Sequence, residues 1–339
     1  MPAEWEPHEG TWLAWPRNPG AWHHKLEAVQ QNWLEIVRTL AGVEKVRLLV
    51  HDLETEREVS RRLLAAGTAM RGVSFLRVPT VDIWIRDYGP TFVTRRTGDE
   101  KVAANSWVFN AWGEKYRPWI QDDGVAAQVA RFLKVPLFQS GLVMEGGSIE
   151  VNGRGTCLAT EQCLLNANRN PGLGRREIEQ ALRDHLAVEH FIWLGRGVAG
   201  DDTDGHIDNL ARFVNETTVV CAVEEDPADE NYLPLQENYE RLQGATAQGG
   251  EKLTVVTLPL PGRVEDDGVR LPASYANFYI ANDAVLVPVY GHPNDDAALG
   301  ILRAIFPKRQ VAGIPCNSLV YGLGAIHCMT QQEPAVPSE

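Results

Sequence analysis

No apolar run in this sequence approaches the roughly 20 residues that a bilayer-spanning helix needs. The opening Met1-Pro2-Ala3-Glu4 has neither the basic start nor the apolar stretch of a secretory leader. Cysteine is scarce, with five in 339 residues. The odd count, without disulfide or zinc-site spacing, points to a reducing compartment. Positive charge is in deficit too: 32 Lys and Arg against 45 Asp and Glu leave a net charge of −13. That balance argues against nucleic acid, whose phosphates require a basic face. It suits a small cationic ligand, which an acidic cleft concentrates. No segment is rich enough in Ser, Gly or Pro to act as a linker, so residues 1–339 are expected to form one domain. Only the end, from Pro334 to Glu339, reads as frayed. A cytoplasmic protein with no membrane association is the expectation.

What is present begins with core-forming residues. A hydrophobic fraction of 44% with ten tryptophans is ample for a large interior. The tryptophans near the start fit either that interior or a dimer face, which leaves a homodimer open. The first 80 residues alternate in α/β fashion: strand 11–15, helix 26–40, strand 46–50, helix 54–64, strand 73–78.

A longer rhythm follows. Hairpins are expected about Thr97-Gly98, Asn152-Gly153, Asn215-Glu216 and Asn282-Asp283, the second of these being a strong turn signal. Helices are expected over 124–133, 177–186, 231–242 and 295–306, and closing strands at 136–138, 190–194, 253–258 and near Val311. Hairpin, helix and strand thus recur about every 55 to 70 residues, the mark of an internally repeated architecture. Four units are visible. The N-terminal elements together with the segment after Asn317 would make a fifth and close a ring, which removes exposed sheet edges.

Each unit carries its most reactive residues just ahead of the hairpin: Trp84-Ile85-Arg86-Asp87, Met144-Glu145-Gly146-Gly147, Asp204-Gly205-His206-Ile207-Asp208, Ser274-Tyr275-Ala276-Asn277 and Ile326-His327-Cys328. In a pseudo-symmetric ring these positions converge near one axis. Cys157, Cys163, Cys221 and Cys316 lie among apolar or strand-like neighbours and read as small buried hydrophobes. Cys328 alone has a glycine-rich approach and a hydrogen-bonding exit.

The converging set holds a thiol, a histidine and several carboxylates. Little of a free thiol is ionised at neutral pH, so a nucleophilic Cys328 needs help. His206 can act as acid or base there, and Glu145 can orient its ring. His327 is adjacent to the thiol, but neighbouring strand residues face opposite ways, which favours His206. Asp87 and Asp208 are surplus to an ordinary thiol hydrolase. Two carboxylates beside a thiol make sense for a planar, bidentate cation such as a guanidinium. Other readings stand beside this one. Asp87 follows Arg86 and fits a structural salt bridge. His206 and Asp208 fit two metal ligands on one strand face, although no third and fourth ligands cluster nearby, so a metal is not expected. His8, His23, His24, His51, His185, His190 and His292 have no evident partner and read as surface or loop residues.

The motifs in order resemble the agmatine deiminase family, within the bacterial peptidylarginine-deiminase-like group of guanidino-group-modifying enzymes. They are Trp84 through Phe92 (WIRDYGPTF), Phe109-Asn110-Ala111-Trp112-Gly113, Glu145-Gly146-Gly147-Ser148-Ile149, Leu164 through Pro171 (LLNANRNP), Gly205-His206-Ile207-Asp208-Asn209, Ser274 through Tyr279 (SYANFY) and Ile326 through Gln332 (IHCMTQQ). The resemblance runs nearly end to end, from Glu9-Gly10-Thr11-Trp12. It implies an α/β fold of five pseudo-symmetric units, a pentein-type propeller with a central active site. It also implies hydrolysis of agmatine to N-carbamoylputrescine and ammonia without a cofactor. By motif, Cys328 would form an amidino-thioether, His206 would protonate departing ammonia and then activate water, Asp87 and Asp208 would hold the guanidinium, and Glu145 would support His206. Trp84, Asp202, Asp204 and Asn277 are expected to contact the substrate.

The sequence departs from the family pattern where Gly322-Leu323-Gly324-Ala325 replaces Gly-Gly-Gly-Asn, where Asp202-Thr203-Asp204 replaces Glu-Thr-Asn, and at Tyr88, where Thr is common. Asp201, Asp202 and Asp204 would anchor a distal ammonium and favour an amine-tailed substrate over free arginine. Deimination of arginine or peptidyl-arginine, amidino transfer to an amine, and a silent guanidine-binding protein are the alternatives. The presence of Cys328, His206, Asp87 and Asp208 together argues against the last.

Overall fold

The computed structural model describes residues 1–336. Four consecutive stretches of chain fold the same way. Strands Thr91–Thr94 and Val102–Val108 pair antiparallel, helix Val125–Leu133 crosses over, and Leu137–Val143 joins Val102–Val108 in parallel. The same order holds for Ile149–Val151, Thr156–Thr160, helix Arg175–Leu186 and His190–Leu194. It recurs with Ala211–Phe213, Thr218–Val223, helix Tyr232–Gln243 and Thr254–Pro259. The last repeat is Tyr279–Ile280, Ala284–Val289, helix Asn294–Ile305 and Gln310–Pro315.

The fifth sheet joins the two ends of the sequence. His8–Ala14 pairs antiparallel with Gln331–Pro334, then in parallel with Lys45–Val50 across helix Leu26–Leu40, and Val73–Arg77 adds a fourth strand after helix Leu53–Ala65. Pro334 is therefore a paired strand residue, which corrects the reading of a frayed end from that point; residues 337–339 lie outside the described residues. Glu333 fixes the pairing from its side chain, accepting from Arg47 Nη2 at 2.8 Å and Trp12 Nε1 at 2.9 Å.

Local chemistry explains the repeats. Asn152 Oδ1 accepts from the backbone of Arg154 and Thr156, and Gly153 takes φ +68°, the left-handed conformation glycine adopts without strain. Asn215 Oδ1 accepts from Thr217 and Thr218 in the equivalent turn. Asp52 caps helix Leu53–Ala65 through Thr55 N at 2.8 Å. Trp12, Trp22 and Trp33 are completely buried and Trp15 nearly so, so the early tryptophans belong to the core. That largest core joins them to residues 275–329, and two smaller cores lie under the second and third sheets. Among the described residues no helix is long and apolar enough to cross a membrane, and all five cysteines are free and buried.

Candidate active site

The turn just ahead of the antiparallel edge strand of each of the five sheets delivers a side chain or backbone group to one place. The short helix Ile85–Tyr88 carries Asp87, the turn Gly146–Ser148 follows Glu145, and the turn Ile207–Asn209 carries Asp208 behind His206. Asn277 precedes Tyr279–Ile280, and Cys328 precedes Gln331–Pro334. A side chain on Gly147 would collide with three of them. An ideal Cβ there lies 2.7 Å from His206 Nδ1, 2.8 Å from Asp87 Oδ1 and 3.0 Å from Asp208 Oδ2.

Cys328 Sγ lies 3.4 Å from Asp208 Oδ2 and receives Asn277 Nδ2 at 3.0 Å. Burial, then the carboxylates of Asp208 and Asp87, push this thiol well above its usual pKa. Asp87 accepts from Gly147 N at 3.0 Å and Trp112 Nε1 at 2.9 Å. Burial pushes its carboxyl up to about 6; His206 restrains the rise, while Asp208 and Glu145 add to it. Arg86 does not pair with Asp87: its guanidinium reaches Gln332 at 2.7 Å and Glu4 at 3.1 Å.

His206 is fully buried, its Nδ1 3.7 Å from Asp87 Oδ1 and its Nε2 3.8 Å from Glu145 Oε2. These separations exceed hydrogen-bond length, so the carboxylates act on the ring through space. Burial works to lower the His206 pKa, but Asp87, Cys163 and Glu145 outweigh it and hold it well above the usual value. Burial likewise opposes ionisation of Asp208, yet His327 pulls its pKa below the ordinary range, with His206 and Arg212 adding to the effect. Glu145 is held low in the same manner by Arg169, whose Nε donates to it at 2.7 Å, and by His206.

A cavity of about 340 Å³ opens above these groups, lined by Trp84, Asp87, Trp112, Tyr116, Asp202 and Cys328 among others. Its lining includes neither lysine nor arginine among the described residues. Gly322 and Gly324 let the approach to Cys328 lie flat on Trp84, since Cβ atoms there would come within 2.9 Å and 2.6 Å of its ring. Trp112 reaches Asp87 through a backbone with φ of +54°, +56° and +82° at Ala111, Trp112 and Gly113, and Gly113 passes where a Cβ would meet Asn168 at 2.3 Å.

Several sequence expectations are corrected by this geometry. Asp204 is absent from the cavity lining; Arg169 Nη1 donates to it at 2.6 Å and Lys115 Nζ lies 2.8 Å away. Asp201 caps its own turn, accepting from Thr203 N and His206 N. Asp202 does line the cavity and accepts from the Tyr116 hydroxyl. Asn277 lies outside the lining and holds the loop that carries Cys328 instead, accepting from His327 N at 2.9 Å through Oδ1. Tyr88 and Ala325 are also outside the lining; Tyr88 donates to Asp82 O at 2.8 Å. His8 is buried, with Nε2 2.8 Å from Glu4 O and Nδ1 3.5 Å from Glu44 Oε2. His185 meets Asn105 Oδ1 at 3.2 Å, and His23 lines the cavity. Residues 207–209 form a turn, not a strand.

Glu145, Cys163 and His206 bring ligand-type atoms within 4.8 Å of one another. Charge disfavours a metal there: Arg169 already occupies one Glu145 oxygen, and a cation would have to displace the tightly held His206 proton. Trp112, Gly147, Asn168 and Arg169 lie in motifs visible in the sequence, though their contacts are not. Glu4 and Arg212 carried no signal at all.

A family model for Porphyromonas-type peptidyl-arginine deiminase matches residues 1–334. The chain belongs to that family. A curated relative, the agmatine deiminase of Pseudomonas aeruginosa (strain LESB58), is 38% identical over 358 residues, covering 99% of this chain and 95% of the relative. Among solved structures, the agmatine deiminase of Enterococcus faecalis superposes with a TM-score of 0.92 at 35% identity, covering 98% of this chain and 95% of that one. That of C. jejuni, solved as a cysteine-to-serine variant with substrate bound, gives 0.89 at 31% identity over 99% and 96%. The mixed α/β fold is thus one the chain shares with deiminases of guanidino compounds.

Proposed function

We propose that this chain hydrolyses agmatine to N-carbamoylputrescine and ammonia, with Cys328 as nucleophile. The observation that carries the reading is the cavity itself: a thiol and Asp87 on its wall, Asp208 touching the thiol, aromatic sides, and Asp202 as a second lining carboxylate, with no lysine or arginine among the described lining residues to receive a substrate carboxylate. Free arginine would bury its carboxylate unpaired there, at a cost of several kcal/mol. Agmatine brings only positive charge.

In this mechanism the guanidinium lies between Asp87 and Asp208, each taking N–H donors. Its charge lowers the thiol's pKa as it binds. Cys328 Sγ, having released its proton to solvent as the cation binds, bonds to the guanidinium carbon; the C–N bond to one terminal nitrogen breaks, and His206 supplies the proton with which that nitrogen leaves as ammonia. The neutral imidazole then takes a proton from water, whose oxygen attacks the amidino carbon; the C–S bond breaks, and the remaining hydroxyl proton passes to the expelled thiolate as the carbonyl forms. Glu145, held by Arg169, keeps His206 oriented and charged for the first step. Trp84 and Trp112 flank the flat cation, and Asp202 attracts the distal ammonium.

The five sheets are read as the blades of a ring closed by the pairing of His8–Ala14 with Gln331–Pro334, and the chain as a single catalytic domain. Support comes from the site residues, which arise at the same place in every sheet. Free buried cysteines fit a reducing cytoplasm.

The test is ammonia release from agmatine, arginine and a peptidyl-arginine mimic, by wild type and Cys328→Ala. Agmatine should give the highest kcat/KM, and the alanine variant should be inactive with no adduct by mass spectrometry. A preference for arginine, or activity retained without the thiol, refutes the proposal.

A further inference from the structure

Glu4 and His327 lie outside the roles given above, yet an unbroken chain of contacts leads from them to the nucleophile. Glu4 Oε2 lies 2.9 Å from His327 Nε2, His327 Nδ1 lies 2.8 Å from Asp208 Oδ2, and that oxygen lies 3.4 Å from Cys328 Sγ. All four residues are buried. Glu4 cannot swing: Arg212 Nη2 and Ile280 N each donate to Oε1 at 2.8 Å, and Arg86 Nη2 donates to Oε2 at 3.1 Å. A ring gripped at both nitrogens by carboxylates has one orientation. Asp208 Oδ2 is thereby engaged, which leaves Oδ1 buried and without a partner.

We propose that Glu4 and His327 are positioning residues for the reaction: they lock Asp208 so that Oδ1 is kept for the substrate's guanidinium and Oδ2 stays against the thiol. The inference rests on the reading of Cys328 as nucleophile and Asp208 as guanidinium ligand. The charged groups facing this chain are Asp87 and His206 beside the thiol, and Arg86, Glu150 and Arg212 around Glu4. Arg212 is shared between Glu4 and Glu150, so Glu4 and His327 form the branch that reaches the site.

Bracing of the interior and positioning of Asp208 predict different outcomes. Glu4→Gln, His327→Asn and the double variant would be compared by steady-state kinetics with agmatine, by Tm, and by the pH dependence of Cys328 alkylation with iodoacetamide, read by peptide mass spectrometry. Each single variant should raise KM about tenfold and move the alkylation midpoint upward, because the Asp208 carboxylate beside the thiol loses its hydrogen bond to the held ring. The double variant should be no worse than the poorer single one, as two links of one chain require. Folded single variants with wild-type KM and midpoint, or losses that add in the double, overturn the proposal. Should Glu4→Gln not fold, Glu4→Asp keeps the charge toward Arg86 and Arg212 while withdrawing it from the ring, and an unchanged KM there overturns it equally. Alkylation needs no turnover. A wild type inert toward agmatine, with the midpoint shift intact, would sink the substrate reading and leave the positioning chain standing.

Discussion

Gly147→Ala puts one methyl group at the point where the site converges. Its Cβ would lie 2.7 Å from His206 Nδ1, 2.8 Å from Asp87 Oδ1 and 3.0 Å from Asp208 Oδ2. Carbon contacts are comfortable at about 3.5 Å, so these groups must retreat by roughly half an ångström or more. None is free to do so without loss. Asp87 is tied to Trp112 Nε1, Asp208 is tied to His327, and His206 is fully enclosed. The backbone at Gly147 is not left-handed, so alanine adds no φ strain, and the effect falls on the side chains. Overpacking of this kind costs about 1–3 kcal/mol of stability, a shift of a few degrees in Tm for a chain of this size. Activity should suffer more. A misplacement of about 1 Å at a reacting centre costs on the order of 100-fold, equivalent to about 2.7 kcal/mol in the barrier. Steady-state kinetics with agmatine, beside thermal unfolding, measures both. A variant with kcat/KM within threefold of wild type would show that the three side chains do not act at this point.

Other outcomes follow from the same geometry. Asp87 takes up its proton near pH 6, so below that pH the guanidinium loses one anion, and kcat/KM for agmatine should fall about tenfold per pH unit; a flat profile down to pH 5 contradicts it. Asp82 is buried, accepts from Ile83 N at 2.8 Å and faces Asp122; burial first, then Asp122, raise its carboxyl to about 7, while Ile83 N opposes the rise. The folded chain therefore holds this proton more tightly than the unfolded one. Its contribution is present at low pH and is lost as pH rises from about 4 through 7, up to about 4 kcal/mol. Asp82→Asn should raise Tm most at pH 8 and leave it near wild type at pH 4; equal shifts at both pH values refute the assignment. Asp202→Asn should raise KM for agmatine with kcat within a few-fold, whereas Asp204→Asn should lower kcat, because Arg169 loses its second carboxylate and with it the setting of Glu145. The reverse pattern would exchange their roles.

The repeat was legible because its turns are chemically marked. Asn152-Gly153 supplies both the side-chain acceptor and the left-handed residue its hairpin needs. Strand Leu137–Val143 was read too short, as 136–138, because Gln139-Ser140-Gly141 breaks the alternation; it is half-exposed, and its register with Val102–Val108 is irregular. The ribbon of Glu265–Asp266 with Val269–Arg270 was not foreseen, since two-residue strands have no period to detect. His327 was set aside on the premise that residues around Cys328 form a strand. They form a turn that precedes one, so alternation does not apply, and the ring engages Asp208 directly.

The acidic residues show most plainly what a sequence withholds. A net charge of −13 says nothing about which carboxylates lack a partner. Asp204 looked free beside Asp202, but Lys115 and Arg169, distant in sequence, neutralise it. Glu4 and Glu150 share Arg212, and Glu145 holds Arg169. Those interior acids are paired to cations, as burial demands. Asp87 is different: its direct donors are a backbone N–H and an indole, with His206 at 3.7 Å. Asp208 satisfies one oxygen and leaves the other unmatched. Two carboxylates with acceptor capacity left over, converging on a thiol that burial keeps protonated, form a site completed by a cation. A guanidinium supplies both deficits at once, with donors for the carboxylates and charge for the thiolate. Substrate binding and activation of the nucleophile are on this argument a single electrostatic event. It follows that Asp87→Asn should weaken agmatine binding and, in the substrate-free enzyme, ease alkylation of Cys328 by removing a neighbouring anion. A variant whose thiol became harder to alkylate would show that Asp87 assists ionisation instead of opposing it.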